Sequence, residues 1–246
     1  MKTVLITSGG CEEPIDGVRN ISNFSTGKTG AFLAEFFASK GTEVILLKAA
    51  KAVIPRQLQY PGGGNISIRE FRSFRDLQAL LEQEAKTDRP PEMLILAAAV
   101  SDFSVAAVHI GSTTYAPRQL DKINSSGEDR IMIELNRNPK LIDRVMEIFP
   151  SALVVGFKLT RKAGESEKLA AVKTLAEHSK AGLIVHNDLS EIGEGRHNFT
   201  LYRTESGNGG TEVIKTASGP DKQALAELLY SCYAERLGPA ERKGQG

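Results

Sequence analysis

The residues best suited to chemistry lie in short polar segments that each follow an apolar run. The first reads TSGGCEEPIDGVRNISNFSTGKTG over Thr7–Gly30. Gly9 and Gly10 follow the run Val4–Thr7, while Gly27 and Gly30 sit where a helical pattern begins. Free N–H groups and the dipole at a helix start favour a phosphate. Arg19, Asn23, Ser25 and Lys28 crowd the same stretch and supply cations and polar donors for an anion. Gly27-Lys28-Thr29 mimics half of a P-loop, but position 22 is Ser22 instead of glycine and the preceding strand lies far upstream. The phosphate-cradling geometry needs the whole motif directly after a strand, so a P-loop is rejected. Glycines that serve tight turns alone are the plainer reading.

Three further segments have the same placement. AAAVSDF (Ala97–Phe103) ends an apolar run with small side chains that let a ligand approach the backbone. In it, Ala98 offers room and Asp102 can accept hydrogen bonds from a base or ribose; packing alone would also explain the alanines. VGFKLT (Val155–Thr160) offers Gly156, the aromatic face of Phe157 and the cation of Lys158. HNDLS (His186–Ser190) ends another run, where an Asn-Asp pair commonly serves a turn or cap. Lys122, in DKINSSG, can swing onto a phosphate, although a lone loop lysine is ordinarily a solvated charge. The four histidines share no metal-ligand spacing, and no GxSxG elbow, GxGxxG fingerprint or Tyr-x3-Lys pair occurs. The residues therefore point to positioning and electrostatics on phosphates, without a protein nucleophile or a resident metal.

The elements that must position these residues alternate. Apolar runs at Val4–Thr7, Glu43–Leu47, Ile66–Phe71, Met93–Val100, Ala152–Phe157, Gly182–His186 and Phe199–Tyr202 read as strands. Helical patterns start at Thr26, follow Phe71, open at Asn138-Pro139 with proline in the first turn, and cover Ala163–His178 and Gln223–Leu237. Repeated β-α-β units give an α/β, Rossmann-like, mostly parallel sheet with helices on both faces. A hairpin turning at Ser206–Gly210 and the aperiodic stretch Ser101–Glu134 add a small β-hairpin or extended element. In such sheets ligands bind beyond the carboxyl ends of the strands, which is where the polar segments fall. Residues 1–237 read as a single domain and 238–246 as a disordered tail.

Composition narrows the partners. The 246 residues carry a net charge of +1, with 25% charged and 41% hydrophobic side chains, so the chain has no field for wrapping nucleic acid or gripping an anionic membrane. Trp is absent and aromatics are 6%, which removes the usual platforms for stacking successive bases. Two distant cysteines, Cys11 and Cys232, form no disulfide framework, and no apolar stretch is long enough to span a bilayer, so a cytoplasmic protein is expected.

Taken in order, these segments resemble phosphopantothenoylcysteine synthetase (phosphopantothenate–cysteine ligase). The resemblance runs through Thr7–Gly30, AAAVSDF, KINSSG (Lys122–Gly127), ELNRNPKLI (Glu134–Ile142), VGFKLT and NDLS (Asn187–Ser190). The AAAVSDF, KINSSG and GFKL variants look more like the stand-alone, eukaryotic-type enzymes than the half fused to a flavin-dependent decarboxylase. Starting at the first strand, the chain is expected to lack that decarboxylase and its flavin. The resemblance implies a ligase of coenzyme A biosynthesis that joins cysteine to 4′-phosphopantothenate through an acyl-nucleotide, with Mg²⁺ and either CTP or ATP. It implies that Asn23 and Lys122 are catalytic, Asn23 on the intermediate and Lys122 on the triphosphate. Gly9, Gly10, Ser25, Ala98, Asp102 and Phe157 would bind nucleotide, and Arg19 with Asn23 would bind phosphopantothenate. A homodimer is implied, with residues shared across its interface. An NAD(P)-dependent reductase on the same sheet, or a non-catalytic nucleotide- or pantetheine-binding module, are the alternatives from other classes.

Overall fold

The first strand is buried on both faces: Val4 and Ile6 pack on one side of it and Leu5 on the other, so both faces of the sheet are covered. The computed structural model describes residues 2–124, 127, 130–193, 196–207 and 210–238, with the Ser206 side chain left aside. In chain order the elements are β1 (Thr3–Ser8), β2 (Glu12–Pro14), β3 (Asn20–Ser22), α1 (Lys28–Ser39), β4 (Glu43–Ala49), β5 (Asn65–Phe71) and α2 (Phe74–Ala85). Then come β6 (Met93–Leu96), β7 (Phe103–Ile110), β8 (Thr113–Tyr115), β9 (Ile131–Arg137), α3 (Leu141–Ile148), β10 (Leu153–Thr160) and α4 (Glu165–Ser179). The last are β11 (Leu183–Asp188), β12 (Ile192–Gly193), β13 (Arg196–His197), β14 (Phe199–Gly207), β15 (Gly210–Gly219) and α5 (Lys222–Leu237).

Eight strands form the main sheet in the order β15-β14-β11-β10-β6-β1-β4-β5. β11, β10, β6, β1, β4 and β5 pair in parallel, while β14 and β15 close the edge antiparallel. This is the Rossmann-like, mostly parallel α/β sheet expected from the alternating pattern. α1 and α5 cover one face, burying Leu33, Phe37, Leu225 and Leu229. Their seam is aromatic: Phe37 meets the Tyr230 ring edge-on at 5.5 Å between centroids. α2, α3 and α4 cover the other face through Leu77, Leu81, Val145, Val172 and Ala176. Ser73 starts α2 with a capping box, accepting from the Asp76 N–H while the Asp76 carboxylate accepts from the Ser73 N–H.

Two boundaries differ from expectation. Strand pairing of β6 ends at Leu96, not Val100, and Ala98, Ala99 and Val100 beyond it line a crevice. Pro139 lies before α3, whose N-cap is Lys140, so the proline sets the approach to the helix and not its first turn. Ser101–Glu134 holds more structure than its pattern suggests. β7, β8 and part of β9 form a three-stranded antiparallel sheet there. A register shift between Val105 and Ala107 places Val105 and Val108, three residues apart, in one small core with Ile15 and Ile123. That bulge breaks the two-residue period by which a strand is read. Residues 239–246, most of the expected tail, lie outside the described residues.

Candidate functional site

β1 runs through α1 to β4 and β5 on one side, and β6 returns beside β1 to lead toward β10 and β11 on the other. The carboxyl ends of β1 and β6 therefore flank the point where strand order reverses, where an open α/β sheet leaves a crevice. The loops leaving these strands are laced together. The Ala98 N–H donates to Thr7 Oγ1 at 3.1 Å, the Ala99 N–H to the Gly9 carbonyl at 2.8 Å, and the Cys11 N–H to the Ala99 carbonyl at 3.1 Å.

The two glycines are required there. Gly9 has φ +89°, and a Cβ on it would lie 2.6 Å from that of Ala52. A Cβ on Gly10 would lie 2.3 Å from the Asn23 carbonyl oxygen. Gly10 thus lets the segment after β3 close over the end of β1 and brings Asn23 to the crevice. The Asn23 side chain is exposed, and its Nδ2 donates to the Val100 carbonyl at 3.0 Å. Its Oδ1 has no partner among the described residues, which leaves an acceptor for a ligand N–H. Ser25 follows, half-buried, just before α1. Gly27, at φ +73°, starts α1 without a side-chain cap, and the first turn carries no acidic residue. The amino end of the helix is therefore electropositive and open.

Ala98, Asp102 and Phe157 line one cavity of about 370 Å³ beyond β6 and β10. Leu141, Ile142 and Leu175 give it an apolar wall, while Lys140, Lys158 and His178 bring polar groups. This suits a flat heterocycle with a charged tail. Asp102 pairs with Lys140 at 2.5 Å, both side chains more than half exposed, so the contact is weak and easily exchanged for a ligand. Asn138 pins this wall: its N–H donates to the Asp102 carbonyl and its Nδ2 to the Ser101 carbonyl, each at 2.9 Å. Lys140 was not singled out in the sequence, where Asn138-Pro139 reads as a helix opening; the adjacent charge-bearing lysine was the available signal.

Arg19 and Lys122 stand apart from the cavity. Arg19 Nη1 pairs with Asp16 Oδ2 at 2.5 Å and also donates to the Ile123 carbonyl at 3.3 Å. Burial alone would raise the Asp16 carboxyl, but the N–H groups of Ile123, Val18 and Arg19, with the Arg19 guanidinium, hold it well below the usual carboxylate range. Lys122 is exposed next to Ile123, whose N–H donates to Asp16 Oδ2 at 2.9 Å. Ser125 and Ser126 of KINSSG lie outside the described residues. Burial pushes the Cys11 thiol up to about 11, so it is not a ready nucleophile. Asp188 accepts from Thr160 Oγ1 and from the N–H groups of Lys162, Ala163 and Ser190, and so stabilises the turns after β10 and β11. No cluster of three potential metal ligands occurs among the described residues. Nor is any described helix long and apolar enough to cross a membrane.

Residues 1–232 match the DNA/pantothenate metabolism flavoprotein C-terminal domain. The coenzyme A biosynthesis bifunctional protein CoaBC of Thermococcus kodakarensis is 31% identical over 229 residues, covering 93% of this chain and 50% of the relative. CoaBC of Escherichia coli is 30% identical over 244 residues, covering 98% and 53% respectively. The chain thus spans about half the length of the curated relatives it matches. Among solved structures, the DNA/pantothenate metabolism flavoprotein from Streptococcus pneumoniae superposes with TM-score 0.76 at 28% identity, covering 96% of this chain and 99% of that one.

Proposed function

This chain belongs to the family of DNA/pantothenate metabolism flavoprotein C-terminal domains, and we propose that it joins cysteine to 4′-phosphopantothenate through an acyl-nucleotide, a step of coenzyme A biosynthesis. The observation that carries the reading is the meeting, at the β1–β6 crevice, of Gly9, Gly10 and Asn23 with the cavity of Ala98, Asp102 and Phe157.

The nucleoside triphosphate enters with its base against Phe157 and its phosphates toward the glycine turn and the amino end of α1, on the side of Ser25. The phosphopantothenate carboxylate attacks the α-phosphorus, forming the mixed anhydride and releasing pyrophosphate. Preorganised N–H donors and cations stabilise the charge that develops on the phosphoryl oxygens. Lys122 reaches that charge as its loop closes. The cysteine amine then attacks the acyl carbon, an amide forms, and the nucleoside monophosphate leaves. Asn23, fixed through Nδ2, presents Oδ1 to the attacking amine and orients it. Mg²⁺ bound with the triphosphate would neutralise charge on the phosphates and would need few ligands from the protein. Asp102, which lines the cavity of Phe157, accepts hydrogen bonds from the base or ribose.

ATP and CTP both fit this reading. Arg19 meets phosphopantothenate from the partner chain of a homodimer, in which each protomer works as one synthetase domain over residues 1–237. The exposed apolar side chains of Phe103, Ile131 and Leu135, on one side of β7 and β9, supply the dimer face. A cytoplasmic location belongs to the same reading, since the triphosphate it uses is supplied there.

The test is direct. The protein is incubated with phosphopantothenate, cysteine, Mg²⁺ and each nucleoside triphosphate in turn, and pyrophosphate and product are quantified. Phosphopantothenoylcysteine should form with at least one triphosphate and in step with pyrophosphate. No product with any of them overturns the proposal.

A further inference from the structure

A second concave site lies between the start of α2, the strand β2 and the paired strands β7 and β9. It is a cleft of about 570 Å³, and it shares no lining residue with the cavity of Phe157. Three arginines line it, each from a different element. Arg75 sits in the first turn of α2, Arg118 in the turn after β8, and Arg137 at the end of β9. All three are exposed, and none makes an ion pair among the described residues.

Two carboxylates share the cleft, Glu13 and Asp76, but both are turned to the amino end of α2. Glu13 Oε1 accepts from the Phe74 N–H at 2.8 Å, and Asp76 Oδ2 accepts from the N–H groups of Ser73 and Arg72 at 2.8 and 3.2 Å. Burial alone would raise the Asp76 carboxyl, but the Ser73 and Arg72 donors and the charge of Arg118 hold it below the ordinary value. The helix start is thus already capped. Even with both acids ionised, the cleft keeps one positive charge in excess. Arg118 has φ +63°, a conformation few residues other than glycine and asparagine adopt. Its N–H donates to the Ile15 carbonyl at 3.2 Å, which fixes the root of this guanidinium beside β2.

A guanidinium fork matches the oxygens of a carboxylate or a phosphate. A carboxylate is planar and has two oxygens, enough for one or two forks. A phosphate monoester spreads three around a tetrahedron, which suits cations supplied by three separate elements. The cleft is much larger than a phosphate and falls within the usual range for small-molecule sites. Pro14 and Pro117 give part of its wall an apolar surface, which an isolated inorganic ion would not use.

We propose that this cleft is a second ligand site, which binds a phosphate monoester of a small apolar molecule through Arg75, Arg118 and Arg137. The ligand is separate from the reactants at the β1–β6 crevice, so the assignment does not depend on the ligation reading. The cleft borders the dimer face proposed above, since Arg137 pairs with Phe103 across β9 and β7. The ligand therefore enters with the partner in place.

The probes are phenyl phosphate and inorganic phosphate, with sodium chloride at matched ionic strength as the control. Phenylglyoxal labels arginines in the full chain, and peptide mass spectrometry reads the rate at each one. With phenyl phosphate at ten times its dissociation constant, labelling of Arg75, Arg118 and Arg137 should slow about tenfold. Arg144, half-exposed on α3, should keep its rate. By calorimetry, Arg75→Gln, Arg118→Asn and Arg137→Gln should each lose about tenfold in phenyl phosphate affinity, the loss expected for one hydrogen bond to a charged group. Asparagine tolerates the positive φ at position 118, and thermal melting confirms that each variant is folded. Absent protection, protection that sodium chloride reproduces or that extends to Arg144, or parental affinity in all three variants overturns the proposal. Three arginines unreactive without any probe overturn it too, since the partner then covers the cleft. Inorganic phosphate bound as tightly as phenyl phosphate overturns the assignment to an organic ligand.

Discussion

Gly10→Ala puts the architecture of the crevice under direct test. The added Cβ would lie 2.3 Å from the Asn23 carbonyl oxygen and 3.2 Å from its carbonyl carbon. Both neighbours are backbone, so no flexible side chain can give way. Restoring ordinary contact requires a displacement of nearly 1 Å, which strains the Asn23 N–H to Cys11 carbonyl bond at 3.4 Å and the Nδ2 to Val100 carbonyl bond at 3.0 Å. Overpacking of this kind costs about 1–3 kcal/mol. In a domain of this size that lowers the melting temperature by roughly 2–4 °C per kcal/mol. The catalytic loss should be larger, because a displacement of about 1 Å at a positioned group costs on the order of a hundredfold. Differential scanning fluorimetry and the cysteine-dependent product assay measure both. Gly207→Ala is the control, since nothing lies within 4 Å of its added Cβ. A Gly10→Ala protein with parental melting temperature and turnover would refute the close approach of Asn23 to the first glycine turn.

Acid stability should depend on Asp16. Its folded pKa is depressed, so its stabilisation is full above the unfolded value of about 3.9 and is lost as pH falls below it. Asp16→Asn should therefore be less stable than the parent at pH 7, the gap narrowing toward pH 3; chemical denaturation at the two pH values checks the sign. Cys11, fully buried and with a raised pKa, should resist iodoacetamide at pH 8 in the folded protein and react once unfolded, as intact mass measurement will show. Lys122→Ala should slow pyrophosphate release by about tenfold or more while leaving melting unchanged, since the side chain is exposed. Ile131→Lys with Leu135→Glu should convert a dimer to monomer in light scattering, and a pair of substitutions without effect would remove this side of β9 from the interface.

The sheet was legible because its strands are buried on both faces and its helices carry one apolar stripe. Val4–Ile6, Leu94–Ile95 and Val154–Val155 read as continuous apolar runs for the reason parallel strands do. The crevice was legible too, since unusual residues after such strands have few roles in packing. Three things were hidden. The β2–β3 hairpin is three residues a side and polar, below the length at which a pattern shows. β9 is largely exposed, and the bulge in β7 resets the phase of its alternation. The cleft of Arg75, Arg118 and Arg137 draws its cations from positions far apart in sequence, where each arginine looks like a solvated surface charge.

The Asp16 carboxylate also works as a latch. It holds the backbone of Ile123, next to Lys122, and the side chain of Arg19 with the same oxygen, Oδ2. The two cations assigned to different substrates are thus tethered to one buried anchor. A loop that swings Lys122 inward must either carry the turn of Arg19 with it or strip a buried carboxylate of a donor, at about 1–3 kcal/mol. If Lys122 and Arg19 act as proposed, concerted travel is the cheaper course, and delivery of charge to one substrate is timed to the repositioning of charge near the other.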